Sequence, residues 1–157
     1  ALFPYYTDDK ITESADITGN KSIFKVYKDT QEFMWEPLAV RSLGSYTTTQ
    51  NLYKNRYGNK IIFEEINHDL ELIFRYQWSS SNVFGFVKKS KLINTGNEAV
   101  KVCLLDGIQN IMPASIGSDE QNQSSNLVDA YKRNELEEAT GLGIFALSAI
   151  LLDTRSK

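Results

Sequence analysis

From Leu70 to Trp78 large apolar and polar side chains alternate almost without a break. Leu70, Leu72, Phe74, Tyr76 and Trp78 hold one phase, and Glu71, Ile73, Arg75 and Gln77 hold the other. Successive side chains of a strand point to opposite faces, so this run predicts a half-buried antiparallel strand with its large residues inward. Weaker patterns surround it. Ser22 to Tyr27 carries Ile23, Phe24, Val26 and Tyr27, which favour extended backbone, and follows the turn signal Gly19-Asn20. Phe33 to Val40 is apolar and includes Trp35, but Pro37 interrupts it, so an edge strand or an extended connection is expected. Gly44 to Tyr57 is rich in Thr, Asn and Tyr without clear periodicity, and Tyr57-Gly58-Asn59 reads as a turn before a strand over Lys60 to Ile66.

Beyond Trp78, the serines at 79 to 81 with Asn82 read as a loop, and Val83 to Asn94 as the next strand. Thr95-Gly96-Asn97-Glu98 supplies a turn from which Ala99 to Leu105 is expected to pair back as a hairpin. Asp106-Gly107 is a tight-turn signal leading to a brief strand, Ile108 to Ile111, before Pro113. One short helix is expected over Asn126 to Leu136, where Leu127, Ala130, Tyr131 and Leu136 are spaced helically behind a Ser125 or Asn126 cap. Thr140-Gly141 ends it. Leu142 to Leu152 suits helix or strand, and its flanking glycines favour strand. Regular strand–helix alternation is missing. The expected fold is therefore a mostly β, antiparallel two-sheet sandwich filling residues 1–157 as one domain.

Composition sets outer limits. A chain of 157 residues with 41% apolar and 24% charged residues is ordinary for one globular domain and buries roughly two thirds of its unfolded surface. The net charge of −3 argues against nucleic acid, and the densest basic stretch is Lys88, Lys89 and Lys91. On a strand Lys89 and Lys91 share a face while Lys88 points the other way, which reads as a solvated sheet face. No stretch of 18 apolar residues suggests a membrane helix. The start at Ala1, without a charged-then-apolar leader, suggests a mature form or a cloned fragment, cytoplasmic or periplasmic. A single cysteine, Cys103, precludes an internal disulfide, and its place in the apolar run from Val100 to Leu105 suggests a buried, inert thiol.

Candidate chemistry is sparse. Gly141-Leu142-Gly143-Ile144-Phe145-Ala146 has the spelling of a dinucleotide loop, but such a loop needs a buried strand before it and a helix after it. Arg133 to Ala139 is too charged for that strand, so no cofactor is expected. The lone histidine, His68, lies among Glu64, Glu65 and Asp69, and reads as a solvated charged turn rather than a metal or acid–base cluster. Carboxylate pairs for glycoside hydrolysis have many candidates, Glu32, Glu36, Glu64, Glu65 and Asp106 among them, and sequence selects none. No catalytic residue and no metal ligand is assigned. The aromatic residues offer more, since Tyr and Trp faces stack on sugar rings. Phe74, Tyr76 and Trp78 belong to the inward phase. That leaves Trp35, Tyr46, Tyr53 and Tyr57 as candidate exposed platforms for carbohydrate.

Four segments carry a family resemblance. They are Ile62-Phe63-Glu64-Glu65-Ile66-Asn67-His68-Asp69-Leu70, Phe74-Arg75-Tyr76-Gln77-Trp78-Ser79, Leu92-Ile93-Asn94-Thr95-Gly96-Asn97, and Leu104-Leu105-Asp106-Gly107-Ile108-Gln109-Asn110-Ile111-Met112-Pro113. Together they resemble the N-terminal β-sandwich region of cellobiose-phosphorylase-like proteins, themselves similar to glycoside phosphorylases and hydrolases. The resemblance extends from Ile61 to Asp153, and the run from Leu104 to Pro113 is its more specific part. It implies a supersandwich like that of galactose mutarotase, with chemistry belonging to a following α/α barrel. This chain would then be a non-catalytic accessory domain packing on that barrel, with carbohydrate as a further partner. Asp106, Gln109 and Asn110 would face the missing domain. Self-association through an exposed patch or free sheet edge is the accompanying expectation. The competing reading is a stand-alone sugar-active enzyme of mutarotase or lyase type using His68 and a nearby carboxylate. A third is an interaction module with no sugar partner.

Overall fold

The computed structural model describes residues 14–112, 116–117, 119, 123, 127–128 and 130–147. The chain gathers into two compact units, one of residues 14–109 and the other of residues 1–13 with 110–157.

The first unit is built of seven antiparallel strands. These are β1 (Gly19–Lys28), β2 (Gln31–Trp35), β3 (Thr48–Lys54), β4 (Lys60–Asn67), β5 (Leu72–Ser81), β6 (Gly85–Asn94) and β7 (Lys101–Gln109). One sheet has the order β2-β1-β7 and the other β3-β4-β5-β6. β1 and β2 form a tight hairpin that places Phe24 opposite Trp35. Pro37 follows the end of β2, where a missing N–H costs no ladder bond, and β2 is an edge as expected. A short 3-10 turn, Val40–Ser42, leads on to β3.

The alternation in β5 is realised as read: Leu72, Phe74 and Tyr76 are buried, Arg75 and Gln77 less so. Leu70 is buried too, although it lies in the preceding turn, which the Asn67 side chain closes by accepting from the Leu70 N–H at 2.9 Å. Phe24, Val26 and Trp35 from the first sheet join Leu72, Phe74 and Tyr76 from the second in one core. The Phe24 ring lies 5.0 Å edge-on from Phe74 and 5.3 Å from Trp35. Aromatic pairs at such distances contribute about 0.5–1.5 kcal/mol beyond the area they bury.

Three local expectations are corrected, and one segment with no expected element gains one. The strand from Lys101 does not pair back on β6; it crosses to the other sheet and lies antiparallel to β1, with Phe24 opposite Leu104. Thr95 to Val100 is thus a connection between sheets, anchored where Thr95 N–H and Oγ1 both donate to the Glu71 carbonyl. Asp106-Gly107 makes no turn, because both residues sit in the ladder opposite Ser22 and Lys21. The serines at 79 to 81 are strand, not loop; the turn begins at Asn82 and Ser81 Oγ accepts from the Val83 and Phe84 N–H groups. Gly44 to Tyr57, which shows no periodicity, contains edge strand β3. An edge strand need bury only part of one face, so its sequence is weakly patterned.

In the second unit Leu127, Val128, Ala130 and Tyr131 are helical, but the expected helix to Leu136 stops there. Strands β8 (Lys132–Glu137) and β9 (Leu142–Leu147) form an antiparallel hairpin with Leu136 opposite Gly143. Its turn places Gly141 at φ 71, a conformation open to glycine at little cost, and its N–H donates to the Glu137 carbonyl at 2.9 Å. The glycines of the dinucleotide-like spelling are therefore a hairpin turn and a strand position. Residues 148–152 of the final apolar run lie outside the described residues. No helix among the described residues is long and apolar enough to cross a membrane.

Candidate functional site

Adjacent residues of β4 point to opposite faces, so Glu64 and Glu65 enter different surroundings. Neither is the surface carboxylate expected of a charged turn: they are 1% and 4% exposed. Glu65 faces the core. Its Oε1 accepts from Trp35 Nε1 at 2.8 Å, and its Oε2 from the Leu38 N–H and Gln50 Nε2, each at 2.8 Å. Glu64 sits on the other face between its cross-strand neighbours Asn51 and Arg75. It accepts from Asn51 Nδ2 at 2.9 Å, from the Tyr53 hydroxyl at 3.0 Å and from Arg75 Nε. Burial pushes the Glu64 carboxyl up, but these hydrogen bonds together outweigh it and hold the group below the usual glutamate range. Both carboxylates are thus saturated by structural donors.

His68 lies in the turn between β4 and β5, with Nε2 2.9 Å from Thr49 Oγ1. The Asp69 carboxylate next to it accepts from the Thr47 N–H at 2.7 Å. No carboxylate hydrogen-bonds to His68 among the described residues, and no group of three metal-ligating side chains is found among them.

The four aromatic candidates are not brought together. Trp35 is no exposed platform: at 1% exposure it is core, because the hairpin with β1 turns it onto Phe24. Tyr46 is half-buried against the same core and donates to the Met34 carbonyl at 2.8 Å. Tyr53 lies over Glu64, half-exposed, and Tyr57 stands exposed on the turn between β3 and β4.

Two places do assemble functional groups. The first is the seam between the sheets where β6 and β7 are edges. Lys88 Nζ donates to Asp106 Oδ1 at 2.7 Å and to the Gly107 carbonyl at 3.1 Å, while Ser22 Oγ donates to the same Asp106 oxygen at 2.6 Å. Burial raises the Asp106 carboxyl, and the bonds from Lys88 and Ser22 more than offset this, leaving it below the ordinary aspartate range. Phe86 shares the Lys88 phase of β6, and Leu104 and Ile108 share the Asp106 phase of β7. All three are exposed, at 65%, 56% and 37%, and so flank the Lys88–Asp106 bridge with uncovered apolar surface. Of the other two candidates for an inter-domain contact, Gln109 donates to the Asp16 carbonyl at 2.7 Å, and Asn110, which opens the second unit, accepts from Lys132 at 2.8 Å. Cys103 is exposed on β7, not buried, because β7 is an edge strand in the described sheet.

The second place is a cavity of about 130 Å³ beside the start of β1, lined by Asn20, Lys21 and Ser22, by the connection from Glu36 to Ala39, and by Tyr76. Lys21 and Glu36 form an ion pair there, with side chains only 18% and 10% exposed. Sequence reading missed it because Lys21 and Glu36 meet only when the first hairpin closes. The burial of Glu65 did leave a signal: it shares the inward phase of β4 with Phe63, where a charge must be paired to be tolerated.

No family model and no curated protein sequence matches the chain. The fold and these sites define a mostly β protein with antiparallel sheets, an apolar seam and a small polar cavity.

Proposed function

We propose that this chain is a non-catalytic β-sandwich accessory domain of a carbohydrate-processing protein, docking on its catalytic domain through the seam between β6 and β7. In this reading the sheets β2-β1-β7 and β3-β4-β5-β6 are the two layers of a supersandwich. The observation that carries it is the exposure of Phe86, Leu104 and Ile108 around the Lys88–Asp106 bridge. Exposed apolar side chains grouped about a part-exposed polar link form the pattern of a docking face, with apolar surface around a polar anchor. Among the described residues β7 is an edge of its sheet, and the backbone groups of that edge add to the same face. The resemblance of Leu104 to Pro113 to the cellobiose-phosphorylase-like region supplies the partner class.

Two measurements test this. An apolar dye such as anilinonaphthalene sulfonate should bind the native chain, and Phe86→Asp with Leu104→Asp should reduce its fluorescence severalfold. Incubation with cellobiose and phosphate, followed by proton NMR, should show no turnover. Dye binding untouched by the double variant would sink the docking face. Turnover that disappears in His68→Ala would replace the accessory reading with a stand-alone enzyme.

A further inference from the structure

The cavity beside β1 is lined by a residue, Asn20, that carries a hydrogen-bonding atom the fold itself does not satisfy. Asn20 Oδ1 is buried with no partner, although the Nδ2 of the same side chain donates to Ser22 Oγ at 3.1 Å. Tyr76 lines the same space at 8% exposure, and its phenol is pushed up to about 12 by burial alone. An unsatisfied buried polar group costs about 1–3 kcal/mol, so an occupant that supplies partners is favoured.

Charge narrows the occupant. Lys21 pairs with one Glu36 oxygen and Arg41 with the other, while Asp16, also in the lining, accepts from the Val40 N–H at 3.1 Å. The lining itself holds one cation, Lys21, and two anions, Asp16 and Glu36, and Arg41 balances the second anion from outside the lining, so no uncompensated charge is left to draw an ion in. A hydroxyl both donates and accepts, and a neighbouring pair of hydroxyls can bridge an ammonium and a carboxylate at once. Pro37, Leu38 and Ala39 supply an apolar wall for C–H groups. Leu38 is held at φ 64, a costly conformation for a branched residue, and its N–H is fixed by Glu65 at 2.8 Å. The volume is several times the roughly 10–15 Å³ that one water needs, room for a small polyol or part of one sugar ring at the open mouth.

We propose that this cavity binds a small neutral polyhydroxylated molecule through a vicinal diol. Lys21 and Glu36 hold the two hydroxyls, Asn20 Oδ1 accepts from one of them, and the Tyr76 hydroxyl completes the set. The cavity draws on different side chains from Phe86, Leu104 and Ile108, so it stands whether or not the docking face does.

The test is NMR titration of the whole chain with glucose, myo-inositol and glycerol, with glucose 6-phosphate as the anionic comparison. Saturable shifts should appear around Asn20, Lys21, Leu38 and Tyr76 for at least one neutral polyol. Tyr76→Phe should weaken binding about tenfold, the loss of roughly one hydrogen bond to a polar ligand. Ala15→Trp, placed at the exposed part of the lining, should block binding while leaving the urea midpoint unchanged, and so guards against misreading a folding defect. The proposal falls if no polyol gives saturable shifts, which would mean water only. It also falls if binding survives Ala15→Trp, or if the phosphate ester binds more tightly than glucose.

Discussion

The indole nitrogen of Trp35 donates to Glu65 Oε1 at 2.8 Å, and both residues are almost wholly buried. This bond links β2 of one sheet to β4 of the other through the core. The remaining Glu65 oxygen holds the Leu38 N–H and the Gln50 amide, so one carboxylate organises the edge of both sheets.

Glu65→Ala would strand three donors in or near the core. We expect a loss of about 3–5 kcal/mol, measured as a lower urea midpoint, against about 1–2 kcal/mol for Trp35→Phe, which keeps most ring contacts. Equal effects of the two substitutions would show that packing, not the carboxylate, holds this junction.

Acid should destabilise the fold partly through Glu64. Its unfolded value is 4.5 and its folded value is lower, so the unfolded chain binds more protons between the two. The stability contributed by Glu64 is therefore complete above pH 4.5 and is lost as pH falls through the folded value. Arg75→Met should lower stability at neutral pH and flatten this acid dependence, read from urea midpoints across the range. An unchanged slope in the variant would remove Glu64 as its source.

Tyr76 acts at the other end of the scale. Burial raises its phenol from 10.0 to about 12, so the folded state favours the neutral form. That contribution is present below pH 10 and is lost as pH rises towards 12. Ultraviolet titration should show a late step, towards pH 12, that Tyr76→Phe removes. Identical wild-type and Tyr76→Phe curves in the most alkaline part of the titration would contradict the buried placement.

Cys103 is exposed, so one thiol per chain should react with a disulfide reagent without denaturant, at a rate close to that of the unfolded chain. Protection by several orders of magnitude would mean that this edge is covered in solution.

Much of the first unit was legible in the sequence, and the reason is local. β5 announces itself because its period-two pattern and the burial of Leu72, Phe74 and Tyr76 have one cause, a sheet with one face on the core. The turn at Tyr57-Gly58-Asn59, the edge role of β2 and the separation of Lys88 from Lys89 and Lys91 were readable for the same reason: turn chemistry and alternation act over a few residues. The hairpin of β8 and β9 was half-readable, since Thr140-Gly141 marks its turn while the helical spacing of Leu127, Ala130 and Tyr131 obscures where β8 begins.

Partner choice was not readable. The segment after Thr95-Gly96 has the chemistry of a hairpin, yet β7 lies on β1, dozens of residues away, because there Leu104 meets Phe24 and Asp106 meets Ser22 and Lys88. The same holds for both assembled places. Lys21 with Glu36, Trp35 with Glu65, and Lys88 with Asp106 are juxtapositions between segments far apart in sequence. By itself the sequence determined which residues are extended and which face of the best strand is buried, through short-range sterics and periodicity. Only the tertiary structure decided which strands are neighbours, because long-range pairing is settled by the joint burial of side chains that no local pattern relates.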